Sequence, residues 1–387
     1  MSLVNQKIAL GLSNLQAYIE KNAYRGYDPY DGLMSPFFRL PILRSNKLIR
    51  FGIQQLVKRL PFNIRPLLLV QKGYNPVTLG LCIQAYAYLF KAEPQKQDYH
   101  YNQIKKLAGE LKTIKSEGYS GLCWGYDFDW EARYAKMPAY MPTVVATGIV
   151  SNALFLAYQE TGMEELAEMV LSCSEFVKND LNKTELDGNI CFSYSPDDEQ
   201  QVFNASMKGV RILIQAYSIS KNRQLLEMAE SAVKFVANQQ DEKGGWAYSL
   251  SKVGGWTDNY HTGYVLDCLE EFQRLSGNQQ YQDNLKLGYN FYVKHFITEE
   301  GIPKFYYNSI YPVDCTSASQ TILTTVRFGD VELASKVALW MTENMQKKNG
   351  SFAFRKYKHY TESTSFMRWS DAWMFAALSN LKFSSTE

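Results

Sequence analysis

The stretch "NRQLLEMAESAVKFVANQQDEKGGW", residues 222–246, sets the pattern that most of the chain repeats. Leu225, Met228, Ala232, Phe235 and Val236 recur at helical spacing, so one face is apolar and the rest is polar. This predicts an amphipathic helix over 223–240, and the same periodicity predicts others near 1–22, 97–117, 163–180, 279–296 and 331–347. A second kind of segment alternates with the first. "VVATGIVSNALFLA" and "DAWMFAALSNL" are apolar on most sides and dense in Gly, Ala and Ser. Helices of that type are buried all round, with small residues letting backbones approach. They are expected at 75–90, 142–158, 204–218, 261–274, 316–327 and 365–381.

Short aromatic landmarks separate the two kinds. They read "GLCWGYDFDW" (121–130), "GNICFSYSPDD" (188–198), "GGWAYSLSK" (244–252), "GIPKFYYNS" (301–309) and "GSFAFRKYK" (350–358). Their leading aromatics Trp124, Phe192, Trp246, Phe305 and Phe352 lie 68, 54, 59 and 47 residues apart, which is a repeat period with loops of varying length. Six inner and six outer helices in alternation predict an all-α fold, an (α/α)6 toroid. The landmark strands are too short to change the class. At 387 residues a toroid accounts for the whole chain as one domain, 1–387.

Composition refines this picture at a few points. No run of about eighteen uncharged apolar residues predicts a membrane-crossing helix, and the N-terminal residues lack a signal peptide's pattern. The six cysteines (82, 123, 173, 191, 268, 315) are scattered without a CxxC pair, as reduced core residues would be. A cytoplasmic location is therefore expected. Net charge is only +2, yet no Asp or Glu occurs from residue 32 to 92, where nine basic residues stand. Without those nine, 32 basic residues face 39 acidic ones, and the remainder carries −7. Within this region an arm at about 36–72 interleaves Arg and Lys with Leu, Ile and Phe. That profile fits either contact with an anionic membrane surface through 37–70, peripheral at the inner membrane, or a basic lid gating a polyanionic substrate. Prolines at 41, 61 and 66 limit any helix in the arm to 45–59.

Two of the landmark turns carry a resemblance. "NQQDEKGGWAY" and "NMQKKNGSFAF" resemble the Gln-x-x-x-Gly-x-Trp turns of squalene- and terpene-cyclase toroids. The polar loops holding "DNYHTG" and "WGYDFDW" are more similar to those of sugar-active toroids, which include glucuronyl C5-epimerase domains, N-acylglucosamine 2-epimerases and six-hairpin glycosidases and lyases. The resemblance spans roughly residues 70–385. It implies the fold and leaves the reaction open, because such turns serve packing in all these groups.

In a toroid the N-termini of the inner helices converge on one end of the central cavity. Their free N–H groups would suit anionic or hydroxyl-rich ligands, so the residues at those entrances are the site candidates. In "WGYDFDW", Asp127 and Asp129 are two apart and share a side of an extended backbone, beside Trp124, Tyr126 and Trp130. Carboxylates among aromatic walls suit acid/base work on a sugar, although either Asp could instead cap a helix. "GGWTDNYHTG" offers Asp258, Tyr260 and His261 as proton carriers, with Trp256 and Asn259 beside them. His261 is the one histidine of the four (100, 261, 295, 359) at such an entrance. Tyr194 and Asp197 in "SYSPDD", Tyr307 in "KFYYNS" and Arg368 in "FMRWSDAW" complete the substrate-binding set. Arg368 could pair with Asp371 three residues on, or bind an anion by its planar fork. Asn204 reads as a helix cap.

Several signatures are missing: no GxxxxGK[ST], no GxGxxG after a strand, no HExxH, no DxDD and no DDxxD. No cofactor, metal or nucleic-acid partner is expected. The sequence reads as a carbohydrate-active protein, epimerase-, lyase- or hydrolase-like, on an anionic or lipid-linked glycan in envelope polysaccharide synthesis. Alternatives are a cyclase-like toroid binding an isoprenoid diphosphate and a non-catalytic glycan-binding protein of the same fold. A wet cavity with two carboxylates would favour glycoside hydrolysis, and one walled by Phe and Trp an isoprenoid.

Overall fold

The computed structural model describes residues 3–40, 46–60, 62–131 and 136–385. Thirteen α-helices run through them: α1 (Leu3–Lys21), α2 (Lys47–Arg59), α3 (Pro76–Ala92), α4 (Gln97–Thr113), α5 (Val144–Thr161), α6 (Glu164–Asn179), α7 (Phe203–Ser220), α8 (Arg223–Ala237), α9 (Asn259–Ser276), α10 (Gln282–Phe296), α11 (Cys315–Arg327), α12 (Val331–Met345) and α13 (Trp373–Ser384). Helices α3, α5, α7, α9, α11 and α13 form the inner ring, each touching the next, and α13 closes the circle on α3. Helices α1, α4, α6, α8, α10 and α12 form the outer layer. This is the (α/α)6 toroid, with small two- and three-stranded sheets between the helices.

The predicted inner helices agree with the observed ones to within a few residues at each end, except the last. There the segment expected as one helix over 365–381 starts with a π-helical turn, Met367–Ala372, before α13. The wider turn lets Arg368 and Trp369 face the ring's centre side by side, which three-point-six-residue geometry would spread apart. The inner helices are buried along nearly their whole length, as their all-round apolarity demands. Close approach depends on small residues: a Cβ on Gly80 would stand 3.1 Å from the Val150 backbone of α5.

The landmark turns have a structural purpose. Trp124 donates its indole N–H to the Leu111 carbonyl at 2.9 Å, and Trp246 does the same to Val236 at 3.0 Å, each capping the last turn of the preceding outer helix. Two glutamines then tie neighbouring outer helices together. Gln240 donates to the carbonyls of Gly244 and of Asn284 in α10, both at 3.0 Å. Gln346 donates to Gly350 at 2.9 Å and to Gly11 of α1 at 2.8 Å, joining the last outer helix to the first. Gly244 and Gly350 occupy left-handed backbone, φ +101° and +91°, and each presses against the next outer helix where a Cβ would meet a carbonyl oxygen. All six cysteines are buried and unpaired.

The basic arm lies on the toroid. The helix expected within 45–59 is α2, Lys47–Arg59, N-capped by Asn46; residues 41–45 and 61, with Arg44, Pro41 and Pro61 among them, lie outside the described residues. Arg65 anchors the chain beyond α2: its Nε is 2.5 Å from Asp31 Oδ1, its Nη2 donates to the Asp28 carbonyl at 2.8 Å, and it is only 1% exposed. Among the described residues no helix is long and apolar enough to cross a membrane.

Candidate active site

A cavity of about 190 Å³ opens where the inner helices begin. Five helical entrances supply its wall: Val77 of α3, Val145 and Ile149 of α5, Asn204 of α7, Tyr260, His261 and Tyr264 of α9, and Arg368 and Trp369 of the π turn leading to α13. The landmark loops add Tyr126, Phe128, Trp130, Tyr194, Tyr248 and Trp256, and the N-terminal segment adds Tyr30. The loops reach the same space because each follows an outer helix and precedes an inner one.

His261 stands at the centre of this wall. Its Nδ1 lies 2.7 Å from Asp258 Oδ2, while its backbone N–H donates to Asp258 Oδ1 at 3.1 Å. Asp258 therefore caps α9 and orients the ring at once. It is 2% exposed and also accepts from the Trp256 indole at 3.2 Å. An ionised carboxylate only accepts, so the proton of the neutral imidazole sits on Nδ1 and Nε2 keeps its lone pair. The ring rests against Tyr260 and Tyr248, with centroids 4.2 and 4.7 Å away.

Around it stand flat aromatic faces and phenol hydroxyls. Trp256 stacks on Tyr248 at 4.6 Å and 12°, Tyr126 on Phe128 at 5.6 Å and 17°. Burial pushes the hydroxyls of Tyr194, Tyr260 and Tyr264 well above the ordinary tyrosine range, so they stay protonated and serve as hydrogen-bond donors. Arg368 is 5% exposed, its Nε 2.5 Å from Asp28 Oδ2, and its guanidinium lies over the Tyr126 and Trp369 rings at 4.3 and 4.6 Å. Arg368 pairs with Asp28 rather than with Asp371, which instead accepts from the Phe352 backbone at 2.8 Å.

The other expected residues fall elsewhere. Asp127 sits at the same end of the toroid but turns out of this cavity. It accepts from the Tyr74 N–H at 3.1 Å in a small adjoining pocket with Asp28 and Asn75, where burial raises its carboxyl above the ordinary aspartate value. Asp129 is exposed and holds the Ala139 N–H at 2.9 Å. The two aspartates thus serve two different backbone donors, and the shared side that their spacing suggested is not used. Trp124 is wholly buried as a packing anchor and Asn259 is buried too, donating to Thr321 and Lys304. Asp197 is exposed; its neighbour Asp198 orders the loop by accepting from Ser195 and Tyr194. Tyr307 is exposed beside His295. The helix N-termini are also less open than expected, since Asn75, Thr143, Asp258 and Asp314 occupy their N–H groups.

Sequence reading missed Tyr30, Tyr248 and Tyr264. It also missed the role of Asn204, which lies inside α7 rather than capping it and whose buried Oδ1 has no partner among the described residues. Among the described residues no carboxylate lines the cavity, and no three His, Cys, Asp or Glu gather as a metal site.

No family model matches the chain, and no curated protein does. Solved structures do. Cellobiose 2-epimerase from Bacillus thermoamylovorans superposes with a TM-score of 0.62 at 13% identity, over 81% of this chain and 88% of that one. An unsaturated glucuronyl hydrolase specific for heparin gives 0.61 at 12% identity, over 98% and 96%. A D-mannose isomerase gives 0.57 at 14% identity, over 79% and 86%. At such identities the likeness is one of fold, the (α/α)6 toroid, and goes no further.

Proposed function

We propose that this toroid is a sugar-acting enzyme of the proton-transfer kind, epimerase- or isomerase-like, with His261 as its acid/base group. The observation that carries the reading is an oriented imidazole, Nδ1 held by a buried Asp258, in a wall of aromatic rings and protonated phenols. Nε2 would take a proton from a sugar carbon activated by a neighbouring carbonyl and return it to the adjacent carbon of the enediolate in an isomerisation; in an epimerisation a protonated phenol of the wall would deliver the proton to the opposite face. The Arg368 guanidinium would stabilise the oxygen that gains negative charge. Trp256, Trp130 and Trp369 offer faces for the apolar side of a sugar ring, and the phenols bond its hydroxyls. A cavity wall without carboxylates weighs against two-carboxylate hydrolysis, which needs an acid and a nucleophile or base on opposite sides of the bond. The fold neighbours include an epimerase, an isomerase and a glucuronyl hydrolase, so they support a sugar-acting enzyme and do not choose among these reactions.

The basic arm favours an anionic or lipid-linked glycan, of the kind handled in envelope polysaccharide synthesis. Lys58 of α2 reaches the Tyr30 hydroxyl at 2.6 Å, and Tyr30 lines the cavity, so the arm's charge lies at its mouth. The arm also exposes Leu48, Leu56, Phe62 and Leu67 beside its basic residues, which suits a cytoplasmic protein resting on an anionic bilayer. An isoprenoid-diphosphate reading is favoured by the number of aromatic walls, and a binding-only protein would need no ordered His261.

The deciding experiment incubates the protein with neutral and uronate-bearing oligosaccharides in heavy water. Deuterium entering a sugar carbon, lost in His261→Asn, is the expected result. Bond cleavage without exchange would move the reading to hydrolysis, and no change in any sugar would end it.

A further inference from the structure

The toroid holds a second cavity, of about 250 Å³, at the end remote from His261. Ile149 and Trp373 line both cavities and form the partition between them. The two chambers differ in chemistry. The first is aromatic, whereas the second is walled by amides and charged groups, among them Gln84, Asn152, Gln320 and Lys208.

The charges of this second wall do not cancel. Four cations, Lys208, Arg211, Arg274 and Arg327, and two carboxylates, Asp267 and Glu270, line it, and Glu271 is buried against the arginines, which leaves 4 − 3 = +1. The arginines account for the glutamates: Arg211 and Arg274 each approach Glu271 to 3.3 Å, and Arg327 lies 2.5 Å from Glu270 and 3.0 Å from Glu271. Asp267 accepts from Gln320 at 2.7 Å and from Thr324 at 2.9 Å. Lys208 is the surplus cation. It is 2% exposed, and among the described residues no carboxylate stands within ion-pair distance of it, with Asp267 acting on it from further off. Its contact is the Tyr264 ring, 4.0 Å from Nζ. A ring face attracts an ammonium but accepts few of its three N–H bonds, and a buried cation short of acceptors is costly. Lys208 is also the sixth residue of α7, well away from the helix's carbonyl end that would offset its charge. A second donor is unmet nearby: among the described residues Arg211 Nε, also buried, has no partner.

We propose that this second cavity binds a small oxyanion, with Lys208 as its principal ligand and Arg211 as a second donor. Phosphate and short carboxylates share the required chemistry, a compact negative charge with several acceptor oxygens. Burial lowers the Lys208 amine to about 8, so it remains largely charged at neutral pH. A bound oxyanion would sit behind the Tyr264–Trp373 stack, centroids 5.6 Å apart, and so share a wall with the sugar cavity without entering it.

The test is isothermal titration of the full-length protein with inorganic phosphate and with malonate, at ionic strength matched by potassium chloride. Saturable binding of phosphate, malonate or both is expected, and which of them binds names the source. Lys208→Met should weaken it about tenfold or more, and Lys208→Arg should retain most of it. Heat no greater than chloride gives for either anion, or a Lys208→Met variant that binds as the wild type does, would overturn the proposal. Selenate soaked into wild-type crystals reads the site without any variant: density against Lys208 supports it, and density only elsewhere overturns it.

Discussion

His261 and Asp258 are joined twice, by the carboxylate's hold on the imidazole Nδ1 at 2.7 Å and by its cap on the His261 backbone at 3.1 Å. One side chain thus begins a helix and sets a tautomer. The two roles separate in variants. Asp258→Asn can still cap, because its amide oxygen can accept the backbone N–H, but its NH2 would favour the other imidazole tautomer. Turnover should fall by roughly 10²–10⁴ in Asp258→Asn and in His261→Ala, with the circular dichroism spectrum unchanged. If Asp258→Asn keeps full activity with a folded spectrum, the tautomer argument fails.

Trp256 is the most exposed aromatic of the cavity wall, at 43%, and is held flat by the Tyr248 stack. Replacing it with Ala should raise KM for the sugar about tenfold by removing the stacking face, and should lower kcat too, because the Asp258 oxygen that holds His261 loses the indole N–H. A loss confined to kcat would show that Trp256 acts on the chemical step instead.

The arm makes a separate prediction. Lys47 and Arg59 are exposed on α2, and Leu48 is 80% exposed beside them. Co-sedimentation with vesicles containing acidic lipid should weaken with salt, and Lys47→Gln with Arg59→Gln should weaken it further. Equal partitioning of wild type and double variant would leave the arm as a lid alone.

Asp371 gives stability a pH dependence. Its carboxyl is fully buried, bonded to Phe352 N and to the Ser365 hydroxyl, and burial raises it to about 7 from an ordinary 3.8. The folded chain therefore holds the proton more tightly than the unfolded chain. The stabilisation is complete below the unfolded value and is lost as pH rises through about 7. Glu362, also raised to about 7 by burial, adds to the same trend. Urea midpoints measured at about pH 6 and about pH 8 should fall with pH in the wild type, and fall less in Asp371→Asn. An identical pH response in both would remove Asp371 from the account.

Gly350 bears on the ring's closure. Its left-handed φ and its contact with the Asn14 carbonyl leave no room for a side chain, so Gly350→Ala should cost about 2–4 kcal/mol and lower Tm by several degrees. A variant as stable as the wild type would mean that α1 can shift without loss.

The fold was legible because packing writes itself into composition. Segments such as 144–157 are apolar all round since they are buried all round, and Gly244 and Gly350 recur because the same turn recurs. The site was legible only where a cap and a functional group coincide, as at Asp258 and His261. Asp127 and Asp129 looked alike in sequence, yet side-chain direction depended on which backbone N–H lay near: Tyr74 for one, Ala139 for the other. Tyr264 carried no local mark, because the wall it shares with Trp369 is assembled from elements distant along the chain. Arg368 found Asp28, 340 residues away, instead of the carboxylate three residues on, and a π turn that no periodicity announced made that possible.

The closure of α1 on α12 has a consequence for synthesis. Lys7 meets Glu343, and Gly11 meets Gln346, across separations of 336 and 335 residues. Helix α1 therefore leaves the ribosome long before its partner is made. Until α12 and α13 emerge, the apolar stripe of Ile8, Leu12, Leu15 and Ile19 lacks its native cover. At roughly 5–20 residues per second that is an interval of tens of seconds, long enough for a holdase or a neighbouring nascent chain to occupy the stripe first.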